Sequence, residues 1–434
     1  MTSIANATLQ SPVNEKQQSR FKKIYPWIAI TVSALFLFYK YILQVSPSIM
    51  TNQLMRAFHV HGAGLGNLAA TFFYSYLITQ LFVGILLDKY SPRYLSAIAI
   101  AVAAVGAYLF SIAHSLLLAE ISRMMMGIGA AFATVSYMKV AAMWFRPNQF
   151  AFVGGLLATA AMLGAVFGEA PLSLVVDIDG WRQSLLFCAV IGAVIAVLFV
   201  VVIRDKHTSE ALAPHQSAPA LGFKDVWEVL SSKQNWLLTF YSGLAFSPVA
   251  VFGGLWGNPF LEEAHNLSQT SAATLISLVF IGLAIGGPLL GLASDVFRNR
   301  RIVMLLGTSV SLVSLIAIIY ITALPLWAII IFLFGFGFGT GSFMLGFAIG
   351  KEINKLALAA TVIALINTGD AIFGAISEPL VGKFLDRGWS GQIVQGLHYF
   401  TVDNYHHAFL LLPAYLLIAL VIVFFIKESK IPEP

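Results

Sequence analysis

The chain has 434 residues, of which 59% are hydrophobic and only 10% are charged, and its net charge is +5. A soluble protein averages about 25% charged residues, so this apolar excess cannot be buried in one soluble core and requires a lipid bilayer as part of the solvent. The single cysteine excludes an intramolecular disulfide and a cysteine-based metal cluster. The basic residues lie in loops between apolar runs, which indicates a membrane protein rather than a nucleic-acid-binding one.

The first 25 residues are polar, and we expect residues 1–25 to form a disordered cytosolic tail. The apolar run that follows is longer than the core of a signal peptide, which has about 7–15 residues. We therefore expect no cleavable signal peptide and a retained first helix.

Twelve segments are apolar and long enough to span a bilayer, which takes about 20 residues. They are residues 26–50, 64–87, 92–114, 116–144, 149–175, 182–203, 235–260, 268–293, 301–323, 325–349, 357–384 and 405–427. This pattern predicts an all-α membrane protein with twelve transmembrane helices in two six-helix bundles, 26–203 and 235–427. Residues 204–234 are predicted to form a cytosolic linker with a short helix on the membrane surface. Residues 428–434 are predicted to form a cytosolic tail.

The basic residues also predict the orientation of the chain. Of the 25 lysines and arginines, 18 fall on the side that holds both termini, four fall near the other side, and three lie within segments. Because basic residues concentrate in cytoplasmic loops, both termini are predicted to be cytosolic.

A short polar turn after the second segment is repeated after the eighth. Its copies are marked by Gly84, Asp88 and Arg93 in the first half and by Gly291, Asp295 and Arg298 in the second. The two glycines are 207 residues apart, and other residues repeat at a similar offset. Glu169 and Asp177 of the first half are repeated by Glu378 and Asp386 of the second. Two matching turns in two apolar halves indicate a duplicated membrane protein.

The first turn resembles the G-x-x-x-D-R/K-x-G-x-R/K loop between helices 2 and 3 of the major facilitator superfamily. It departs from that pattern at Ser91, which stands where the second glycine is usual, and the second copy has Val296 in place of the first basic residue. The resemblance implies two halves that rock around a central site. It also implies that Asp88 pairs with a basic residue such as Arg146 to close the cytosolic side. By this resemblance we assign a gating role to Gly84, Asp88, Arg93, Arg146, Gly291, Asp295 and Arg298.

Ionisable residues within the apolar segments are candidates for function, because each costs about 2.5–3.5 kcal/mol to insert. Lys40 lies near the middle of the first segment, on one stripe with Gln44 and next to Tyr39. A lysine that faces a central cavity would bind a carboxylate or phosphate of the substrate. The alternative is a structural ion pair with an acidic residue of another helix.

The eleventh segment carries the predicted counterpart of Lys40 in the second half. Asn367, Asp370 and Glu378 recur at helical spacing, with Asp370 near mid-membrane and Glu378 nearer the outer face. Either carboxylate would take up a proton or bind a substrate amine, and Glu169 of the first half is a further candidate for proton coupling. For Glu378 and Glu169 the alternative is helix packing or hydrogen bonding next to proline.

Arg123 begins the run Arg123-Met-Met-Met-Gly127, which resembles the R-x-x-x-G pattern of helix 4 in the superfamily. The resemblance implies a part in proton transfer, and the alternative is a local ion pair with Glu120. Asn67 and Tyr74 on segment 2 and Tyr241 on segment 7 are further candidates for the substrate path, with lipid contact or packing as the alternative.

These patterns predict a monomeric secondary transporter in a bacterial inner membrane. It would move a small anionic or zwitterionic solute (an amino acid, a short peptide or an organic carboxylate, including a carboxylate siderophore) by proton symport. Drug efflux and a non-transporting sensor or scaffold remain alternatives. No nucleotide-binding loop, nucleophile elbow or metal-ligand spacing is present in the sequence, so we expect no enzyme activity, cofactor or metal.

Overall fold

A computed structural model describes residues 12–146, 149–204, 223–321, 323–355, 358–394 and 396–428. Most of the predicted tails and linker, residues 1–11, 205–222 and 429–434, therefore lies outside the described residues. The described part is almost entirely helical, with one two-stranded antiparallel sheet.

The first half consists of seven helices and one 3₁₀ turn. They are α1 (Pro12–Val45), the 3₁₀ turn Ser46–Met50, α2 (Thr51–Phe58), α3 (Gly62–Lys89), α4 (Pro92–Ser111), α5 (Leu116–Ala130), α6 (Phe132–Trp144) and α7 (Phe150–Val202). Because α1 begins at Pro12, residues 12–25 are helical although the sequence predicted a disordered tail there. Glutamate, lysine and glutamine, which favour helix, fill its first turns.

The second half follows a short helix, α8 (Phe223–Ser231), within the predicted linker. It consists of α9 (Lys233–Pro248), a π-helical segment Val249–Trp256, α10 (Gly257–His265), α11 (Gln269–Val296), α12 (Arg300–Tyr320), α13 (Leu326–Thr340), a 3₁₀ turn Gly341–Phe343, α14 (Met344–Ile353), α15 (Ala359–Gly388), β1 (Ile393–Val394), β2 (Leu397–His398), α16 (Val402–Ala408) and α17 (Leu411–Val423). The two strands pair Ile393 with His398 and Val394 with Leu397.

Ten helical stretches of the described chain are long and apolar enough to cross a membrane. One of them, Phe152–Val202, has 51 residues and joins two predicted segments, because only Gly180 leaves the helical conformation between them. Its φ of 79° lies in a region that glycine enters without a steric penalty. The helix α15 is not one of the ten stretches, and it contains several charged residues. The count of twelve spans stays a prediction.

The internal repeat predicted from the sequence reappears in the places where helices break. The 3₁₀ turn Ser46–Met50 separates α1 from α2, and the π-helical segment Val249–Trp256 separates α9 from α10. A second break follows Ala130 in the first half and Thr340 in the second. The halves therefore share interrupted helices at corresponding positions.

Small residues allow the closest helix contacts, and several of them lie in the glycine-rich helix α13. A Cβ on Gly337 would overlap the carbonyl oxygen of Val279 on α11, and one on Gly339 would overlap that of Gly307 on α12. Glycine at these positions lets backbones approach closely, which is how helices associate in lipid.

The closest backbone contacts between α3 of the first half and α15 of the second lie at one end of the molecule. We call the end where α3 begins and α15 ends the distal end, and the end where α3 finishes at Lys89 the terminal end. At the distal end a Cβ on Gly66 would overlap the backbone of Glu378 and Pro379 in the other half. Near the terminal end Gly84 on the same helix has no atom of another element within 4 Å. The close backbone contacts between α3 and α15 therefore lie toward the distal end.

Candidate functional site

A cavity of about 210 Å³ lies between the two halves, near the middle of the helices. It is lined by Lys40, Tyr41, Gln44, Phe72, Phe73, Tyr76, Thr134, Leu157, Ala158, Ala161, Met162, Phe246, Leu283, Ala284, Pro288, Phe343, Met344, Phe347, Asn367, Asp370 and Ala371. Of the eight predicted substrate-binding residues, Lys40, Gln44, Asn367 and Asp370 line this cavity together. The two ionisable residues come from opposite halves.

Lys40 is buried, and its ammonium is held by aromatic faces rather than by a carboxylate. Its Nζ lies 3.7 Å from the ring centroid of Tyr41 and 5.3 Å from that of Tyr76. Among the described residues no carboxylate oxygen lies within 4.0 Å of this nitrogen. Contacts with aromatic faces compensate only part of the hydration that a buried ammonium loses. The cavity thus presents a cation without an anionic partner in contact, rather than the structural ion pair considered from the sequence.

Asp370 faces the cavity from α15 and is also buried. Its Oδ1 accepts a hydrogen bond of 2.6 Å from the Ser242 hydroxyl, which fixes the carboxylate against α9. One turn earlier on α15, the Asn367 side chain interacts with the Tyr76 hydroxyl of α3. Polar groups of both halves therefore converge on the same space as Lys40.

Two predicted substrate-binding tyrosines lie outside the cavity. Tyr39 is 1% exposed and packs inside the first half, where its hydroxyl lies against Gly192 of α7. Tyr241 is 0% exposed and shares hydrogen bonds of 3.1 and 3.3 Å with the hydroxyls of Thr308 and Ser342 inside the second half. Both are packing residues in this arrangement.

The polar stripe predicted on segment 2 also lies away from the cavity lining. The Asn67 amide donates a 3.2 Å hydrogen bond to Glu120 of α5. Tyr74 is 39% exposed, and its hydroxyl lies 3.4 Å from Asn67 Oδ1 and 3.5 Å from the carbonyl of Ala375. Sequence reasoning missed Tyr76 on the same helix, which lines the cavity and stands two residues further along.

Glu378 lies in a narrow extension of the cavity, about 20 Å³ in volume, which Tyr41 and Gln44 also line. Its carboxylate is 3% exposed, and Oε2 has no hydrogen-bond partner among the described residues. Its charge interacts with that of Arg123 in the other half. A buried carboxylate with one unsatisfied oxygen is suited to hold a proton.

Arg123 is 1% exposed and reaches two neighbouring helices of its own half. Its guanidinium donates to the carbonyl of Leu43 at 2.7 Å and to that of Ala69 at 3.2 Å, and it stacks 5.0 Å from the Phe72 ring centroid. Glu120, the local partner considered from the sequence, instead accepts a hydrogen bond from an amide. Arg123 therefore lies where α1, α3 and α5 meet, near the interface between the halves.

Glu169 accepts hydrogen bonds from neutral donors of both halves. Its Oε1 accepts from the Ser48 hydroxyl at 2.5 Å, and its Oε2 accepts from the Asn258 amide of α10 at 2.7 Å. The residue is 0% exposed, and both oxygens are satisfied. This geometry corresponds to the structural alternative considered from the sequence, in which Glu169 serves in hydrogen bonding. Glu378, at the equivalent position of the repeat, differs because one of its oxygens has no hydrogen-bond partner among the described residues.

The predicted gating residues of the first half lie at the terminal end. Arg93 donates from Nε to the carbonyl of Val200 at 2.6 Å, and Arg146 is exposed. The side chain of Asp88 lies outside the described part of the chain, so its pairing with Arg146 stays a prediction. Gly84 and Gly291 have no atoms of other elements within 4 Å.

Of the three predicted gating residues of the second half, Asp295 belongs to an ion-paired cluster, which is centred on Arg300 outside the predicted set. Arg300 bonds Glu352 at 2.6 Å and Asp295 at 3.1 Å, and its backbone N–H donates to Glu428 at 2.9 Å. Arg298 is exposed, and its φ of 50° ends α11. Arg300 begins the next helix, so it is Arg300 that reaches back to Asp295.

Two carboxylates at the distal end form hydrogen bonds between the halves. The sequence analysis identified these two residues only as members of the internal repeat. Asp386 at the end of α15 accepts from the backbone N–H groups of Gly62 at 2.8 Å and Ala63 at 2.7 Å. Asp177 of α7 accepts a hydrogen bond from the hydroxyl of Thr270 in the first turn of α11. In each case an aspartate of one half lies at the start of a helix in the other half.

Three flat side chains stack beside Asp386 at the distal end. The His398 ring lies between those of His61 and Trp389, with centroid distances of 3.5 and 3.6 Å. Burial, together with the charge of His61, lowers the pKa of His398 below its ordinary value of 6.5, and Asp386 opposes this shift. His61 and His398 belong to opposite halves, so the stack exists only while this end is closed.

Comparison with known proteins gives a consistent result. A model described as Major Facilitator Superfamily matches residues 27–258 and again residues 248–434. The uncharacterized transporter YybO of Bacillus subtilis is 21% identical over 394 residues, covering 83% of this chain and 87% of that protein. The probable sulfoacetate transporter SauU of Cupriavidus necator is 23% identical over 381 residues, covering 82% and 86%. A bacterial homolog of the human lysosomal transporter Spinster, solved inward-facing and unoccupied, has a TM-score of 0.80 at 15% identity and covers 94% of this chain and 99% of its own.

Proposed function

The chain belongs to the major facilitator superfamily of secondary transporters, and we propose that it moves a small anionic or zwitterionic solute by alternating access, in symport with protons. The solute would be an amino acid, a short peptide or an organic carboxylate. It would bind between Lys40 of the first half and Asp370 of the second.

The observation that carries this proposal is the unpaired ammonium of Lys40 in the central cavity. It lies against two tyrosine rings with no carboxylate within 4.0 Å among the described residues. An anionic group of a substrate would supply the missing partner with a charge-assisted hydrogen bond, about twice as strong as a neutral one. Asp370 in the other half would bind a substrate amine where the substrate has one. A solute that touches both would stabilise the halves in one arrangement.

Proton coupling rests on the second set of buried carboxylates. Glu378 has an unsatisfied oxygen beside the cavity and interacts with Arg123 across the interface. Protonation of Glu378 would remove that interaction and favour movement of the halves. Asp370 is the other carboxylate of this proposed relay. Both oxygens of Glu169 already accept hydrogen bonds from neutral donors, so we place Glu169 outside the relay.

The proposed topology puts both termini in the cytoplasm of a bacterial cell, in its inner membrane. The terminal end is then cytosolic, and an opening at that end corresponds to an inward-facing state. We propose that the monomer is the working unit, since both ionisable residues of the cavity come from one chain.

Binding is tested first by a thermal-stability screen of purified protein against amino acids, dipeptides, organic acids and iron chelators. A ligand at 100 times its dissociation constant adds about 2.7 kcal/mol of stability. Lys40→Ala is expected to abolish the shift given by the best ligand, whereas Lys233→Ala, which removes an exposed lysine at the start of α9, should leave it unchanged. A full shift in Lys40→Ala would remove this lysine from the site.

Transport is tested by counterflow of the identified ligand in proteoliposomes. Exchange that depends on Lys40 supports a transporter, and binding without exchange would favour the sensor alternative. Drug efflux predicts a different result, in which cationic or neutral apolar drugs stabilise the protein and carboxylates do not. Uptake that ignores an imposed pH gradient would contradict the proton coupling.

A further inference from the structure

The walls of the central cavity are mainly aromatic and apolar. Five phenylalanines from both halves line it: Phe72, Phe73, Phe246, Phe343 and Phe347. Three of them form a cluster in the second half, where the ring centroids of Phe246 and Phe343 are 5.1 Å apart and those of Phe343 and Phe347 are 6.0 Å apart. Aromatic faces of this kind bind apolar or aromatic groups.

The charged groups of the cavity match a single negative charge. Among the described residues that line the main cavity, Lys40 is the one cation and Asp370 the one carboxylate, and Glu378 lies in the narrow extension. A second negative charge on the ligand would face either Asp370 or an aromatic ring, whose face is itself electronegative. Such a charge would lose its hydration without gaining a partner. A dicarboxylate or a phosphate ester is therefore a poor fit.

The hydrogen-bonding groups of the cavity are few and partly engaged. Asn367 already interacts with Tyr76, and Asp370 is bonded by Ser242. Gln44, Thr134 and Tyr41 are further neutral polar side chains in the lining. A ligand with a hydroxyl on every carbon would bury several of them against phenylalanine, and each buried hydroxyl without a partner weakens binding.

We infer that the substrate is a monocarboxylate with an apolar, aromatic-sized body, which binds with its carboxylate at Lys40 and its body among the five phenylalanines. The inference rests on the proposed function and narrows its solute class. It excludes polyhydroxylated sugar acids, dicarboxylates and phosphate esters as preferred ligands. The cavity of about 210 Å³ is smaller than the range of about 300–1,000 Å³ typical of drug-sized ligands, which favours a body of one ring.

The test is a binding series on the full-length protein in detergent, measured by calorimetry or by thermal stability. 3-Phenylpropionate and phenylalanine share one carboxylate and one ring, and they differ in the amine. Glucuronate keeps the single carboxylate but replaces the ring by hydroxyls, phenyl phosphate keeps the ring but is a dianion, and phenethylamine keeps the ring without a carboxylate. At least one of the first two is expected to bind ten-fold or more tightly than any of the other three.

Variants identify the groups that recognise the ligand. Phe343→Ala is expected to weaken binding of the preferred ligand at least five-fold, whereas Phe187→Ala, which removes an exposed ring of α7, should have no effect. If Asp370 recognises the amine, Asp370→Asn should weaken the binding of phenylalanine and leave the binding of 3-phenylpropionate unchanged. If Lys40→Ala fails to fold, Lys40→Arg and Lys40→Gln give the same comparison with and without the charge.

The outcomes separate this inference from the proposed function. Lys40-dependent binding in which glucuronate or phenyl phosphate is preferred would overturn the inference and leave an anion transporter standing. Preference for phenethylamine, or binding of carboxylates that is unchanged in the Lys40 variants, would overturn both. Equal binding of 3-phenylpropionate by Phe343→Ala and the unmodified protein would also contradict the inference.

Discussion

The carboxylate of Asp386 caps the helix that begins at Gly62 in the other half of the molecule, through two hydrogen bonds of 2.8 and 2.7 Å to consecutive backbone N–H groups. A helix N-terminus has unsatisfied N–H groups and a partial positive charge, so both features favour a carboxylate there. Asp177 and Thr270 form the corresponding contact between α7 and α11. In alternating access both contacts must break when the distal end opens.

Asp386→Ala is therefore expected to favour the state in which the distal end is open. Loss of a capping side chain costs about 1–2 kcal/mol, which changes the ratio of the two states by roughly ten-fold. The readout is labelling of a cysteine at position 44, in a Cys188→Ala background, by a membrane-impermeant thiol reagent added from the distal side.

The control for this prediction is Asp179→Ala, which removes an exposed aspartate at the same end of the molecule. Its labelling rate should equal that of the parent. Equal rates in Asp386→Ala and the parent would show that the cap does not stabilise distal closure. The double variant with Asp177→Ala should label faster than either single variant.

Acidification should open the distal end through His398. Its pKa is lowered in the closed state by burial and by His61, with Asp386 acting in the opposite direction. Once the end opens, the imidazole regains water and a pKa near 6.5, so the open state binds more protons than the closed one. The opening is therefore favoured as pH falls below about 6.5, and the contribution vanishes at higher pH.

The measurement is the same labelling rate followed from about pH 7.5 to pH 5.5. His398→Phe keeps a flat ring between His61 and Trp389 but cannot take up a proton. The acid-dependent increase in the labelling rate should be absent from this variant. An identical pH profile in the variant and the parent would assign the pH response to other groups.

Glu378→Gln should uncouple transport from the pH gradient. The variant keeps the size of the side chain but cannot exchange a proton beside Arg123. We expect binding and counterflow of the solute to persist, while uptake no longer accelerates in an imposed gradient. Gradient-driven uptake at the parental rate would exclude Glu378 as the coupling group.

Glu169→Gln is the matched variant at the equivalent position, and it should retain the response to the gradient. An amide can accept from Asn258 and donate to the Ser48 hydroxyl, so the hydrogen bonds around it can be kept. Glu169→Ala should instead lower thermal stability, because it leaves buried polar partners unsatisfied at about 1–3 kcal/mol each. A loss of coupling in Glu169→Gln would give this carboxylate a role in proton transfer.

The sequence predicted the charged residues of the cavity better than its aromatic ones. Lys40 and Asp370 can be recognised from the sequence because a charged side chain in an apolar segment is costly to insert into the membrane, whichever way the helix is rotated. Choosing between Tyr39 and Tyr41 requires the rotation of α1 about its own axis, because the two residues lie about 100° to either side of Lys40 on a helix. The family relationship and the helical repeat were confirmed because they depend on patterns that extend over the whole chain.

Contacts between the halves could not be predicted, since they depend on the conformational state as well as on the sequence. The repeated aspartates Asp177 and Asp386 were visible as a pattern, but their partners at helix starts were not. The sequence likewise predicted Arg298, and not Arg300, as a gating residue. Arg298 lies in the turn after α11 with a left-handed backbone conformation, and it is Arg300, at the start of the next helix, whose side chain reaches Asp295.

The contact of Gly66 with the backbone of Glu378 and Pro379 has a practical consequence. Backbone surfaces without interlocking side chains can part and meet again without any rotamer change, so this face is suited to repeated cycles. A bulky residue there would act as a wedge. Gly66→Leu is expected to hold the distal end apart, which would supply a conformationally locked protein for trapping the opposite state. The same ligand should then reach the cavity from the other side of the membrane.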